Sequence, residues 1–495
     1  MSYTPTDSVR SILARNDGVF IDGRPRPGAA DAALTNINPS TGNAISEYAA
    51  ANAADVDAAV NSCRTAFDDG RWRAKAPAEK ARIMQRVADL IEANAQELGE
   101  LEMLEAGKPL AAATQIEAPF AAECFRYHAG WCTKLDGSTK QLSLAPAGEF
   151  HAYTLREPIG VVGLIVPFNG PLVQTSWKLA PALAAGCCAV VKPDEKTPLS
   201  TLRLAELLIE AGVPAGVVNV VAGTGPEVGG AIVRHPLVAK VSFTGSTATG
   251  KEIGKVALDD MKKVTLELGG KSPVIILADA DLDKAIPGAA DAIFGNAGQV
   301  CVAGSRLYVE DPVFDDVVRG VVEYAERLNV GPAHEADTQM GPLISAAHLD
   351  SVLGAVDAGA EQGARIATGG RRIDSGGGYF ITPTVLSDVD ASMSVVREEI
   401  FGPVLVATRA ESMRDCIDSG NDSRYGLAAS IWTENVGNAH RAAAAIRAGL
   451  VWINCHGIPD MAVPFGGYKQ SGWGRENGYE GLLAYTELKS VICKL

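Results

Sequence analysis

Residues 159–192 read IGVVGLIVPFNGPLVQTSWKLAPALAAGCCAVVK. The first nine, 159–167, are an apolar run with no polar face, the pattern of a strand buried on both sides of a parallel sheet. A helix is predicted over 174–185, and AVVK at 189–192 is a second strand. Thr197 and Pro198 then open a helix as N-cap and first-turn proline. Its apolar stripe runs through Leu199, Leu202, Ala205, Leu208 and Ile209, and Gly212 ends it. Strands at 217–221, 239–243 and 263–267 follow. Strands alternating with helices imply βαβ units and a doubly wound α/β sheet. After Leu268 the pattern restarts, with a strand at 273–277, a helix at 283–298 and a strand at 306–310, so a second α/β domain begins near 268. Upstream, 53–107 is rich in Ala, Leu, Glu and Lys at helical spacing and reads as a helical layer. The tail, 485–495, is β-prone with few charges, a segment that pairs with another strand of this chain or of another subunit.

Composition excludes several classes. The 495 residues carry 59 acidic and 44 basic side chains, a formal charge of −15. That balance suits neither phosphate backbones nor anionic membranes, so nucleic acid and membrane are not expected partners. The N-terminus has no apolar h-region, and the longest apolar run, 179–191, contains Pro181 and Gly186 and is too short to span a bilayer. Nine cysteines, an odd number without any CxxC pair, read as free thiols in a reducing, cytoplasmic compartment, and no metal site is expected.

Five segments carry candidate chemistry. Gly223-Thr-Gly225-Pro-Glu-Val-Gly229 follows a strand and approaches the dinucleotide fingerprint, with its third glycine one residue late; it reads equally as a turn. Gly245 and Ser246, in FTGS, follow another strand and can set N–H groups and a hydroxyl against a pyrophosphate at a helix N-terminus. Cys301 lies among small residues in NAGQVCVAGSR, and a thiolate is a natural nucleophile for a carbonyl, although most cysteines are small buried hydrophobes. Glu267 stands between an apolar strand and a glycine turn, either as a cap or as a base. Asn169 sits at the carboxyl end of a buried strand, where open α/β sheets place ligands, and can equally stabilise the turn.

Together these segments resemble the aldehyde dehydrogenase superfamily, from about residue 20 to the C-terminus. The likeness rests on seven ordered motifs: PFN at 167–169, KPDE at 192–195, FTGS at 243–246, ELGGK at 267–271, GQVCVAGSR at 298–306, EEIFGP at 398–403 and PFGGYKQSG at 464–472. The resemblance implies an NAD-dependent oxidation of an aldehyde to its carboxylic acid. It implies an NAD-binding domain over 1–137 and 158–267, a catalytic domain over 268–479 and a small β oligomerisation segment over 138–157 and 480–495, in a dimer or tetramer. It assigns Cys301 as nucleophile, Glu267 as general base and Asn169 to the oxyanion hole with the Cys301 N–H. Chemically this is coherent: the thiohemiacetal oxyanion needs donors, and the thioester that follows needs a base to bring in water. Lys192 and Glu195 match positions at the adenosine ribose, where a carboxylate favours NAD over NADP. Gly225 matches the adenine site, and Gly245 and Ser246 the pyrophosphate. Val166, Phe168, the backbone of Leu268, Glu399 and Phe401 match the nicotinamide half. Lys178 and Glu476 match a proton relay.

Two departures stand out. Phe168 replaces a commoner tryptophan, and Gly170 stands where many members carry an aromatic, which widens the expected substrate tunnel. The tunnel residues implied are Gly170, Gln174, Trp177, Val300, Val302, Gly457, Pro459 and Phe465, a mostly apolar set with neither an arginine for a carboxylate tail nor an aromatic cage for a quaternary ammonium. The segment NCHGIPDMAVPF at 454–465 resembles bacterial members acting on aromatic aldehydes such as phenylacetaldehyde. The competing readings are a CoA-acylating enzyme, which generally lacks the ELGGK glutamate retained here as Glu267, and a non-catalytic protein keeping the fold.

Overall fold

The structure, a computed structural model, describes residues 3–144 and 148–495. Residues 145–147, within the segment expected at 138–157, lie outside the described residues. Val161–Ile165 is buried at every position and sits at the centre of an eight-stranded sheet. Its parallel neighbours are Cys188–Lys192 and Val238–Thr244; Val218–Val221 and Lys263–Glu267 extend the parallel run on either side. Short antiparallel strands close the edges: Val19–Ile21 and Arg24–Arg26 on one side, Gly472–Trp473 on the other. The second sheet has seven strands. Pro273–Ile276 and Arg306–Glu310 lie at its centre in parallel, and Arg365–Thr368 is its antiparallel edge. The expected α/β class with two mainly parallel sheets is therefore what the chain adopts. The tail strand Thr486–Lys494 pairs antiparallel with Phe150–Pro158 of the same chain over nine positions, and Thr139–Lys140 completes that small sheet.

Helix Pro171–Ala185 starts three residues earlier than its apolar spacing suggested, because Pro171 is pre-organised for a first helical turn. It ends at Gly186, whose φ of 96° lets the Gly186 and Cys187 N–H groups bond back to Leu183 and Ala182. The expected Thr197 cap is not formed. The next helix is Leu199–Ala211, and Glu105, 94 residues away, caps it: its carboxylate accepts from the N–H groups of Leu199 (2.8 Å) and Ser200 (3.1 Å). Glu102 does the same for the preceding helix, accepting from Leu172 N–H at 2.9 Å. Both glutamates belong to helix Ala95–Ala106 of the N-terminal layer, so a buried carboxylate satisfies each orphaned helix start.

The helix expected over 283–298 runs only from Leu282 to Phe294. Asn296 and Ala297 adopt left-handed conformations, with φ of 49° and 53°, and Gly298 follows at 70°. A β-carbon on Gly298 would overlap the Gly402 carbonyl. Breaking the helix there turns the chain back toward the first sheet and brings Cys301 with it. Residues 268–272 join the two sheets directly and are buried throughout.

Candidate active site

Cys301 and Asn169 line one tunnel-shaped cavity of about 1070 Å³, and all eight residues expected in the tunnel wall line it as well. Asn169 follows the central strand of the first sheet; its amide Nδ2 donates to the Gln299 carbonyl at 2.8 Å. Asn296 Nδ2 donates to the carbonyls of Asn169 and Gln299, both at 3.3 Å. These bonds fasten the Cys301 turn to the end of the first sheet. One amide hydrogen of Asn169 is thereby engaged and the second remains for the tunnel. From the other side, His456 Nε2 donates to the Val302 carbonyl at 2.9 Å while its Nδ1 accepts from Ser430 Oγ at 3.0 Å. Burial holds this imidazole down at about 4, so it stays neutral at physiological pH.

Burial pushes the Cys301 thiol up to about 12, with the negative charges of Glu267 and Glu399 adding to the effect. Glu267 is buried, and neither carboxyl oxygen has a hydrogen-bond partner. Burial raises its pKa well above the ordinary carboxyl range; Glu476 raises it further, while Lys178 and Arg475 act in the opposite sense. Its carboxyl faces Gly466 and does not line the tunnel in this arrangement: a β-carbon on Gly466 would lie 2.8 Å from Oε1. Lys178 and Glu476 form a fully buried ion pair. Lys178 Nζ also donates to Thr244 Oγ1 at 2.7 Å and Ser242 Oγ at 3.3 Å, and Ser242 Oγ donates to Glu476 Oε1 at 3.0 Å.

A second cavity, of about 570 Å³, opens over the carboxyl ends of the first sheet's strands. Val166, Phe168, Lys192, Glu195, Gly225, Gly245 and Ser246 all line it. Ser246 caps helix Thr247–Asp259 by accepting from Thr249 N–H at 3.1 Å, which turns the start of that helix toward the cavity. The near-miss glycine loop is a short π-helical turn, Gly225–Gly229, capped by Thr224. A β-carbon on Gly225 would meet nothing within 4 Å, whereas one on Gly245 would overlap the Phe243 ring. Glycine is thus demanded at 245 by packing and at 225 only by whatever enters the cavity. Leu268, Glu399 and Phe401, expected at the nicotinamide half, are not among the residues lining this cavity. The Leu268 N–H is bound to the Ser471 carbonyl at 2.9 Å. Glu399 accepts from Gly270 N–H at 3.0 Å, and burial pushes it up to about 7. Phe401 packs edge-on against Phe168, centroids 5.9 Å apart.

The family model described as aldehyde dehydrogenase family matches residues 27–491. The chain belongs to the aldehyde dehydrogenase family. It is 44% identical over 494 residues to the phenylacetaldehyde dehydrogenase of Pseudomonas fluorescens, covering 98% of each chain. It is 42% identical over 479 residues to the mitochondrial aldehyde dehydrogenase of Homo sapiens, covering 96% of this chain and 92% of that one. An aldehyde dehydrogenase from Bacillus cereus, solved as an NAD+ complex, superposes with a TM-score of 0.97 at 45% identity over 99% of each chain. As an aldehyde dehydrogenase, the protein oxidises aldehydes with NAD. The second cavity fits that cofactor: a capped helix start suits a pyrophosphate, and Glu195 beside Lys192 (3.5 Å) suits a ribose diol.

Several site residues were not evident from the sequence. Phe120, from the helical layer, lines the tunnel and packs on Trp177 at a centroid distance of 6.1 Å. Lys108 and Glu117 line it too. No local pattern marks these positions, because they reach the site only through tertiary packing. Among the described residues, no cluster of His, Cys, Asp or Glu could hold a metal ion, and no helix is long and apolar enough to cross a membrane.

The Glu267 environment predicts a pH-dependent stability difference. A carboxyl whose native pKa is raised binds its proton more tightly folded than unfolded, so stability falls as pH rises from the unfolded pKa toward the native one. Glutamine removes that titration. The melting temperature of Glu267→Gln relative to wild type should therefore climb between pH 5 and 7, by the order of 1–2 °C per pH unit. A difference that stays flat across this range in thermal scans contradicts the assignment.

Proposed function

We propose that the enzyme oxidises hydrophobic, including aromatic, aldehydes to carboxylic acids through a covalent Cys301 thioester. The observation that carries this reading is the tethering of Asn169 to the nucleophile's turn: both residues face one largely apolar tunnel, with the amide anchored two residues before the cysteine. Cys301 Sγ attacks the aldehyde carbon as its proton passes to solvent water in the tunnel; the carbonyl electron pair moves to oxygen, where the second Asn169 amide hydrogen and the Cys301 N–H receive it. NAD, held by Lys192, Glu195, Gly245 and Ser246, would supply the hydride acceptor, and loss of hydride from the bound carbon would leave a thioester on Cys301. Glu267, once ionised, takes a proton from water, the hydroxide oxygen attacks the thioester carbon, and Cys301 departs as thiolate with release of the acid. The Lys178–Glu476 pair lies close enough to shift the Glu267 titration and is the route by which its proton is returned toward solvent. For the hydrolysis step the Glu267 carboxyl turns from Gly466 toward the tunnel; burial disfavours its charged form while it faces Gly466.

Retention of Glu267 supports hydrolysis rather than transfer to CoA. Residues 1–137 and 158–267 act as the NAD domain, 268–479 as the catalytic domain, and 138–157 with 480–495 as the oligomerisation segment of a cytoplasmic dimer or tetramer. The tail strand supports the last point: it is the outer strand of its sheet and exposes Leu488 and Ile492.

Two experiments test this reading. On a panel of aldehydes with NAD, NADH should form without CoA, phenylacetaldehyde should give a higher kcat/KM than acetaldehyde, and Cys301→Ala should reduce turnover by roughly 10⁴-fold or more. Retained turnover in Cys301→Ala, or a requirement for CoA, rejects it. Wild type should also show a higher kcat/KM with NAD than with NADP, and Glu195→Ala should narrow the gap about tenfold by removing a carboxylate that repels a 2′-phosphate. A wild-type preference for NADP would show that Glu195 does not face the ribose.

A further inference from the structure

We infer that the tunnel has a polar end, the Lys108–Glu117 ion pair, which selects aldehydes bearing a hydroxyl group remote from the carbonyl. The inference rests on Cys301 as the point of aldehyde attack. Lys108 follows Gly107, whose φ of 72° ends helix Ala95–Ala106, and its side chain is only 4% exposed. Glu117 ends the π-helical turn Ala113–Glu117. Lys108 Nζ and Glu117 Oε1 are 2.7 Å apart, and both side chains line the same cavity as Cys301 and Asn169.

Gly170 decides whether a substrate meets this pair. A β-carbon there would lie 3.8 Å from Glu117 Oε2 and 3.8 Å from Lys108 Nζ, so any larger side chain would lie between the pair and the tunnel. Gly170 is not in the left-handed region that favours glycine, its φ being −169°, and the nearest atom to an added β-carbon is Gln174 Cγ at 3.6 Å. The effect of glycine is to leave the pair uncovered. Behind it, Glu102 is pushed up to about 7 by burial, against the lowering effect of Lys108. Lys108 is itself held above its ordinary value: burial opposes its charge, but Glu117 and Glu102 outweigh that.

An uncovered ion pair of this kind presents a donor and an acceptor side by side. A hydroxyl can donate to Glu117 Oε2 while accepting from Lys108 Nζ. A carboxylate would be repelled by Glu117, and a quaternary ammonium by Lys108. A wholly apolar tail would strip water from both charges and return nothing, the situation in which a site rejects an analogue lacking the hydroxyl.

The test compares substrates that differ by one hydroxyl: 4-hydroxyphenylacetaldehyde with phenylacetaldehyde, and 6-hydroxyhexanal with hexanal. Wild type should favour the hydroxylated member of at least one pair by about tenfold in kcat/KM. The ratio should fall to about one in the double variant Lys108→Met/Glu117→Leu, and also in Gly170→Phe, which covers the pair without altering it and serves if the double variant does not fold. A wild-type ratio at or below one in both pairs, or a ratio that persists in the folded variants, overturns the inference. If aromatic aldehydes are not oxidised at all, the aromatic reading of the tunnel fails separately, and the aliphatic pair still decides this one.

Discussion

The site depends on one close approach: the five-residue link 268–272 joins the two sheets and presses its backbone against that of Cys301. Glu267 ends a strand of the first sheet and Pro273 begins a strand of the second. A β-carbon on Gly270 would overlap the Cys301 carbonyl, and one on Gly269 would overlap the Glu399 carboxylate. Both glycines are therefore needed for contact rather than for dihedral freedom. The link is pinned by groups from other motifs: Leu268 N–H to the Ser471 carbonyl, Ser471 Oγ to the Gly269 carbonyl at 2.7 Å, and Arg306 Nε to the Lys271 carbonyl at 2.8 Å. Four of the sequence motifs thus meet at one buried seam, with Glu267 at one end of the link and Cys301 packed against its middle.

That seam also sets the electrostatics. Little water reaches it, so charge is disfavoured on every acid present. The Cys301 thiol and the Glu267 carboxyl are both held toward their neutral forms by burial, and a charge on Glu267 raises the cost of ionising Cys301 further. The donors proposed for the oxyanion carry no such cost, because the Asn169 amide is already fixed by the Gln299 carbonyl.

Much of this was legible in the sequence because it is local. The apolar run at 161–165, the glycine stop at 186 and the restart of the pattern near 268 are properties of short segments, and the strands fall within a residue or two of where periodicity put them. What could not be read is tertiary. Thr197 looked like a helix cap, but Glu105 takes the work from 94 residues away. The helix over 283–298 had good spacing to its end, yet Asn296 leaves the helix because its amide is bound to the Asn169 and Gln299 carbonyls. In the tunnel wall Gly457, Pro459 and Phe465 followed from the resemblance, whereas Phe120, Lys108 and Glu117 come from a helical layer with no chemical signature of its own.

The central claim is that Cys301 carries the substrate carbon as a thioester that Glu267 then clears with water. Intact-mass spectrometry of Glu267→Gln after a single addition of NAD and phenylacetaldehyde tests it most directly. The account predicts a burst of NADH stoichiometric with enzyme, together with a protein mass raised by one phenylacetyl group that peptide mapping assigns to Cys301. NADH formation with no acyl adduct on Cys301, at any time before turnover is complete, would contradict it.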